Sequence, residues 1–214
     1  MLHFNTVNVL LKDSLDFIMQ AEIFNDFRLV GGTSLSLQLG HRESVDIDVF
    51  TDAPYGTIDF AAIDRFLQQN FAYVHHTRTL PAMGKSYLIG SAADHAVKLD
   101  VFYTEAFIQP PLLNNHIRLA TIDEIVAMKI DVVQRTGRKK DFWDLHEIMD
   151  DYSLDQMLAL HKKRYPYTHN ANLIIKNLTD FTSADGDFDP ICLRGKFWEL
   201  IKYDLTAAFG DAKL

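Results

Sequence analysis

Two aspartates placed two residues apart inside an apolar stretch, Asp46-Ile47-Asp48, are the side chains of this 214-residue chain best suited to chemistry. Strand periodicity puts both carboxylates on one face and leaves Val45, Ile47 and Val49 to form the opposite, buried one. Like charges held so close repel unless a cation sits between them, and hard oxygen ligands suit magnesium better than softer metals. Just upstream runs Leu29-Val30-Gly31-Gly32-Thr33-Ser34. Its expected form is a strand over residues 27–30, a tight turn at Gly31 and Gly32, and a helix from Thr33 through Leu35, Leu37 and Leu39 to a stop at Gly40. A helix N-terminus behind a glycine turn offers N–H groups and a positive dipole end to a phosphate. A phosphate cradle followed by a two-carboxylate ledge meets both needs of a nucleoside triphosphate.

A third acid extends the pattern. In Val97-Lys98-Leu99-Asp100-Val101-Phe102 the odd positions are apolar, and Asp100 precedes a Val-Phe pair just as Asp48 does. Were the two strands neighbours, three carboxylates would converge on one face, as a pair of metal ions about 3.5–4 Å apart requires. Taken alone, Asp100 also reads as an exposed acid on a strand. Lys129 is the next anomaly: Ile122, Ile125, Val126 and Val133 form one helical stripe, with Lys129 in its middle and Asp131 on the other side. A lysine so placed either snorkels to the rim or meets an anion. In the block Gly137-Arg138-Lys139-Lys140-Asp141-Phe142-Trp143-Asp144, Asp141 reads either as an N-cap or as an acid held beside cations to orient Lys129 or a substrate.

These side chains must be positioned by a sizeable fold. At 48% hydrophobic residues the chain can bury a core, as one domain or two small ones. The N-terminus lacks a basic segment with an apolar run behind it, and no stretch approaches the roughly 20 apolar residues of a membrane span, so a cytoplasmic location is expected. A single cysteine, Cys192, excludes an internal disulfide framework. The net charge of −8 argues against a uniformly basic coat for nucleic acid, while two local clusters remain, Arg135/Arg138/Lys139/Lys140 and Lys162/Lys163/Arg164. The pattern predicts helices over about residues 6–22 and from 58 to about 70, strands over 71–79, 84–92 and 95–103, a linker at Ile108-Gln109-Pro110-Pro111, and helices beyond about Thr121. The fold class is therefore α+β, an N-terminal α/β core over residues 1–110 followed by an all-helical part over 117–214.

The run Gly31-Gly32-Thr33-Ser34-Leu35 with Gly40-His41-Arg42-Glu43-Ser44-Val45-Asp46-Ile47-Asp48 resembles the first motif of the AbiEii/AbiGii toxin family of minimal nucleotidyltransferases, within the DNA polymerase β-like superfamily. Val97–Val101, Met128-Lys129-Ile130 and residues 138–145 resemble its later motifs in the same order. The resemblance implies a mixed-sheet core completed by a C-terminal helical bundle, and a toxin that moves a nucleotide from a nucleoside triphosphate to an acceptor such as tRNA or another RNA, beside an antitoxin. It implies two Mg2+ ions on Asp46, Asp48 and Asp100, phosphate contacts from Gly31, Gly32, Thr33 or Ser34 and Lys129, and catalytic places for Lys129 and Asp141. The superfamily's turn usually reads Gly-Ser where this chain has Gly32-Thr33. Two other readings stand beside it: a non-catalytic nucleotide- or protein-binding module, and a kinase-like phosphotransferase.

Overall fold

The computed structural model describes residues 1–76 and 83–210. The first helix, α1 (Val9–Gln20), starts where the Asn8 side chain accepts the Leu11 amide, and a 3-10 turn at Phe4–Thr6 takes up the beginning of the expected helix. There follow β1 (Arg28–Leu29), α2 (Gly31–Leu39), β2 (Asp46–Thr51), α3 (Phe60–Asn70), β3 (Tyr73–His76), β4 (Gly84–Ala92) and β5 (His95–Tyr103). The end of the expected strand over 71–79 lies outside the described residues.

The sheet has seven strands in the order β3-β4-β5-β2-β1-β7-β6 and is mixed, with β2–β5 and β1–β7 parallel. Its last two strands, β6 (Leu112–Asn114) and β7 (Ile117–Leu119), form a hairpin that pattern reading did not find, because three-residue strands are too short for alternation to show. The hairpin straddles the expected boundary between the two halves and belongs by pairing to the sheet. The 108–111 connection is fastened rather than loose, since Ile108 and Gln109 amides donate to buried Glu124.

Alternation along β2 and β5 divides the sheet into two faces. Ile47, Val49, Leu99 and Val101 are wholly buried in one core with α1 and α3, through Leu11, Leu15, Ile63 and Leu67. At about 1.5–3 kcal/mol per fully buried aliphatic side chain, this packing fixes the strand register. Val45 corrects the expected pattern: it stands outside β2 and is 62% exposed, so the buried face begins at Ile47.

The opposite face looks toward the helices α4 (Ile122–Thr136), α5 (Lys139–Ile148), α6 (Leu154–Arg164), α7 (Ala171–Asn177) and α8 (Trp198–Phe209). They enclose a second core of Ile125, Val126, Ile130, Val133, Phe142, Trp143, Met157, Trp198 and Ile201, joined by Val30 and Leu35 from the sheet half and abutted by Phe50. Among the described residues no helix is long and apolar enough to cross a membrane.

Candidate active site

The expected neighbouring of the two acid-bearing strands is realised in the register itself: β2 and β5 run parallel with Asp46 opposite Lys98, Asp48 opposite Asp100 and Phe50 opposite Phe102. Because side chains alternate, all six stand on the face turned to the helical half, acids at one end and the two phenyl rings, 6.0 Å apart, at the other. Lys98 Nζ donates to Asp100 Oδ2 at 2.5 Å, and Lys140 Nζ lies 3.5 Å from Asp46 Oδ2. The other oxygen of Asp100, Oδ1, is buried without a hydrogen-bond partner. Burial first, then the charges of Asp100 and Asp46, push the Asp48 carboxyl up to about 6.

Such an acid-rich pocket with an orphaned carboxylate oxygen is a donor set for a hard divalent cation. The acids share a face but are not closed around one point: among the described residues no group of three or more His, Cys, Asp or Glu side chains stands as a metal cage. Lysines Lys98 and Lys140 hold the two flanking acids instead.

The glycine segment reaches the acids differently from the expected turn-then-helix. Helix α2 already begins at Gly31, capped by no side chain, and Gly31 adopts φ +66°. A Cβ there would lie 2.9 Å from Asp48 Oδ2, so only glycine lets the start of the helix sit against the acid. A side chain on Gly32 would run into the Arg42 guanidinium. The two hydroxyls expected near phosphate are turned inward. Thr33 Oγ1 donates to the carbonyl of Asp46 and is 2.7 Å from Ser44 Oγ, which ties α2 to the start of β2. Ser34 Oγ accepts from Gln38 Nε2 at 3.1 Å and is fully buried.

Lys129 does not snorkel. It is 5% exposed, and its ammonium lies 2.7 Å from Asp141 Oδ1 and 2.6 Å from Asp144 Oδ2. Asp141 is not the N-cap of α5 but its third residue, where its Oδ2 accepts the Arg138 amide at 3.0 Å. Pattern reading missed the partners that complete this cluster. Arg42 grips Asp144 with two nitrogens, Nε to Oδ1 at 2.6 Å and Nη2 to Oδ2 at 2.8 Å, and His41 Nε2 is 2.8 Å from the same Oδ1. The available signal was the Asp141/Asp144 spacing of three, which puts both acids on one helical face.

Burial disfavours every charge in this cluster, and the pairing decides the outcome. Burial would lower the Lys129 ammonium, but Asp141 and Asp144 hold it up. It would raise Asp144, yet Arg42 and Lys129 hold that carboxylate well below its usual range. At His41 burial wins over the pull of Asp144 and lowers the imidazole, which favours its neutral form. Arg42 and Lys129 thus offset Asp141 and Asp144, and the cluster fastens the 41–42 segment behind α2 to helices α4 and α5. Of the second basic cluster in the sequence, Arg164 is buried on Glu124 while Lys162 and Lys163 are exposed.

The family model for the nucleotidyl transferase AbiEii toxin of type IV toxin–antitoxin systems matches residues 15–197. An uncharacterized protein of Aquifex aeolicus (strain VF5) is 30% identical over 181 residues, which cover 81% of this chain and 82% of that protein. Two Helicobacter pylori crystal structures, the second of them JHP933, share the fold at TM-scores of 0.60 and 0.59 with 17% and 16% identity; each comparison covers 92% of this chain, and 91% and 88% of the respective structures. MenT4, a nucleotidyltransferase toxin of Mycobacterium tuberculosis H37Rv, is similar at a TM-score of 0.53 and 17% identity, over 94% of this chain and 84% of that one. At such identities the solved structures speak for the α+β fold, and the family match over most of the sequence speaks for the activity: the chain belongs to the AbiEii family of nucleotidyl transferase toxins.

Proposed function

We propose that the protein transfers a nucleotide from a nucleoside triphosphate to a hydroxyl of an RNA acceptor, tRNA being the leading candidate, with Mg2+ held by Asp46, Asp48 and Asp100. The observation that carries this reading is the meeting of Asp48, Asp100 and the uncapped start of α2 at Gly31. Magnesium bound there would supply charge neutralisation of the phosphates and a lowered pKa for the attacking hydroxyl. The backbone of Gly31 and Gly32 receives the phosphates, aided by the helix dipole. Thr33 and Ser34 serve this cradle from within, by locking α2 to β2 and closing its first turns.

Asp100, through its unpartnered Oδ1, takes the proton of the acceptor hydroxyl. Lys129 and Asp141 act as positioning residues: the ammonium holds Asp141 and Asp144, and Asp144 in turn fixes Arg42 against Gly32. This replaces direct neutralisation of the triphosphate by Lys129, whose three donors face two carboxylates. Lys98, at the rim beside Asp100, is the cation freer to meet the triphosphate. The helices α4 to α8 complete the cleft above the sheet, and an antitoxin restrains the enzyme in the cytoplasm.

Incubation of the purified protein with total RNA, magnesium and each α-labelled nucleoside triphosphate tests the reaction. Label is expected on RNA from the α-position and not from the γ-position. Label transferred only from the γ-position would identify a kinase, and no transfer to any RNA would return the binding-module reading.

A further inference from the structure

Beyond the acids the cleft continues into a groove of about 450 Å3 between the start of β2 and residues 186–191, with Val45, Asp46, Arg138, Lys140, Phe188 and Ile191 among its walls. The 186–191 segment is tied down at both ends. The Glu43 amide donates to the Ile191 carbonyl and the Leu193 amide to the His41 carbonyl, each at 2.9 Å. Asp187 accepts the Lys139 amide at 3.0 Å, and Asp189 accepts Lys139 Nζ at 2.9 Å. Between these two anchored acids Phe188 is nevertheless 99% exposed, and Val45 and Ile191 beside it are 62% and 61% exposed. A ring mounted on an anchored loop and left exposed by the described residues is available to an outside partner.

The charges around it narrow that partner. Arg138 is 4.0 Å from Asp187 and Lys140 3.5 Å from Asp46, both loose pairs, so each cation can turn to a phosphate. Glu43, Asp46, Asp187 and Asp189 outnumber these two cations along the groove, which disfavours a long run of phosphates and leaves room for one. A rim of donors and acceptors around an aromatic platform fits a nucleobase, whose edge carries both kinds of group, with its flanking phosphate. The groove meets the acid ledge at Asp46, and neither Gly31 nor Gly32 is among its walls.

We propose that Phe188 is the stacking platform for the terminal base of a single-stranded RNA acceptor, with Arg138 and Lys140 on the adjoining phosphate. The proposal rests on the acceptor being RNA, as argued above, and adds where that strand is held.

The test measures binding of a fluorescein-labelled single-stranded RNA dodecamer of mixed sequence to the full chain, without nucleotide or metal, by fluorescence anisotropy. Phe188→Ala should weaken binding about tenfold and Phe188→Trp should preserve it, as loss and retention of one stacked base predict. In the transfer assay the KM for RNA should rise while the KM for nucleoside triphosphate stays unchanged. Unchanged RNA affinity in Phe188→Ala overturns the proposal, and so does a raised KM for the triphosphate alone, which would give the groove to the incoming base. RNA binding that depends on Phe188 in a protein that transfers no α-label would leave this inference standing while removing the transferase reading.

Discussion

Asp48→Asn should abolish nucleotide transfer and raise the melting temperature in the same protein. The acid lies half-buried beside Asp46 and Asp100, and its carboxyl is pushed from 3.8 up to about 6. Removing a metal-binding carboxylate should lower transfer by more than the roughly 10–100-fold typical of residues that only support ligands. The stability effect has the opposite sign. A carboxyl whose folded pKa lies above its unfolded one penalises folding once pH exceeds 3.8, and fully so above about 6. Asparagine lifts that penalty, on the order of 2 kcal/mol near neutral pH, which corresponds to a rise of several degrees. The gain should shrink as pH falls toward 3.8, where wild type also carries a neutral group. Thermal melts across that range, paired with the labelled-RNA assay, check both halves. Retained transfer, or a neutral-pH melting temperature below wild type, contradicts the assignment of Asp48.

Asp144→Ala should have the largest cost in stability. The carboxylate is fully buried, accepts Arg42 twice, and meets Lys129 at 2.6 Å and His41 at 2.8 Å. Breaking a buried pair by deleting one partner costs about 3–5 kcal/mol, because the surviving charges stay buried and unpaired. For a chain of this size that lowers the melting temperature by roughly 10 °C. The pH dependence separates charge from packing. Asp144 titrates well below 3.8 when folded, so its contribution is complete above that value and fades as pH falls below it. Wild type should therefore lose stability in acid more steeply than Asp144→Asn, which keeps the shape without the charge. Parallel acid limbs in the two proteins would show that Asp144 acts by packing alone.

The fold also shows what a linear sequence can and cannot announce. The pairing of β2 with β5 was legible because Asp48-Val49-Phe50 and Asp100-Val101-Phe102 repeat one period-two pattern, and a repeated pattern on two strands puts like beside like. Gly40 ended α2 as its left-handed conformation requires. Lys129 stood out because a charge in an apolar stripe demands an explanation. Its partners were less visible: Arg42 lies 102 residues from Asp144, and no local rule links them. The inward turn of Thr33 toward Ser44 and Asp46, the exposure of Val45 and the placement of Phe188 likewise depend on segments far apart in the chain. Short strands were lost for a different reason, since Leu112–Asn114 and Ile117–Leu119 gain their conformation from pairing with each other and with Leu29 rather than from propensity.

The most direct test of the acid ledge and phosphate cradle as one site is a crystal structure with Mn2+ and a non-hydrolysable nucleoside triphosphate, read at the manganese absorption edge. The expected result is anomalous density in contact with Asp46, Asp48 and Asp100, phosphates against the Gly31 and Gly32 amides, and Lys98 turned from Asp100 toward the triphosphate. Manganese bound away from these three carboxylates, or a triphosphate remote from the start of α2, would contradict the account.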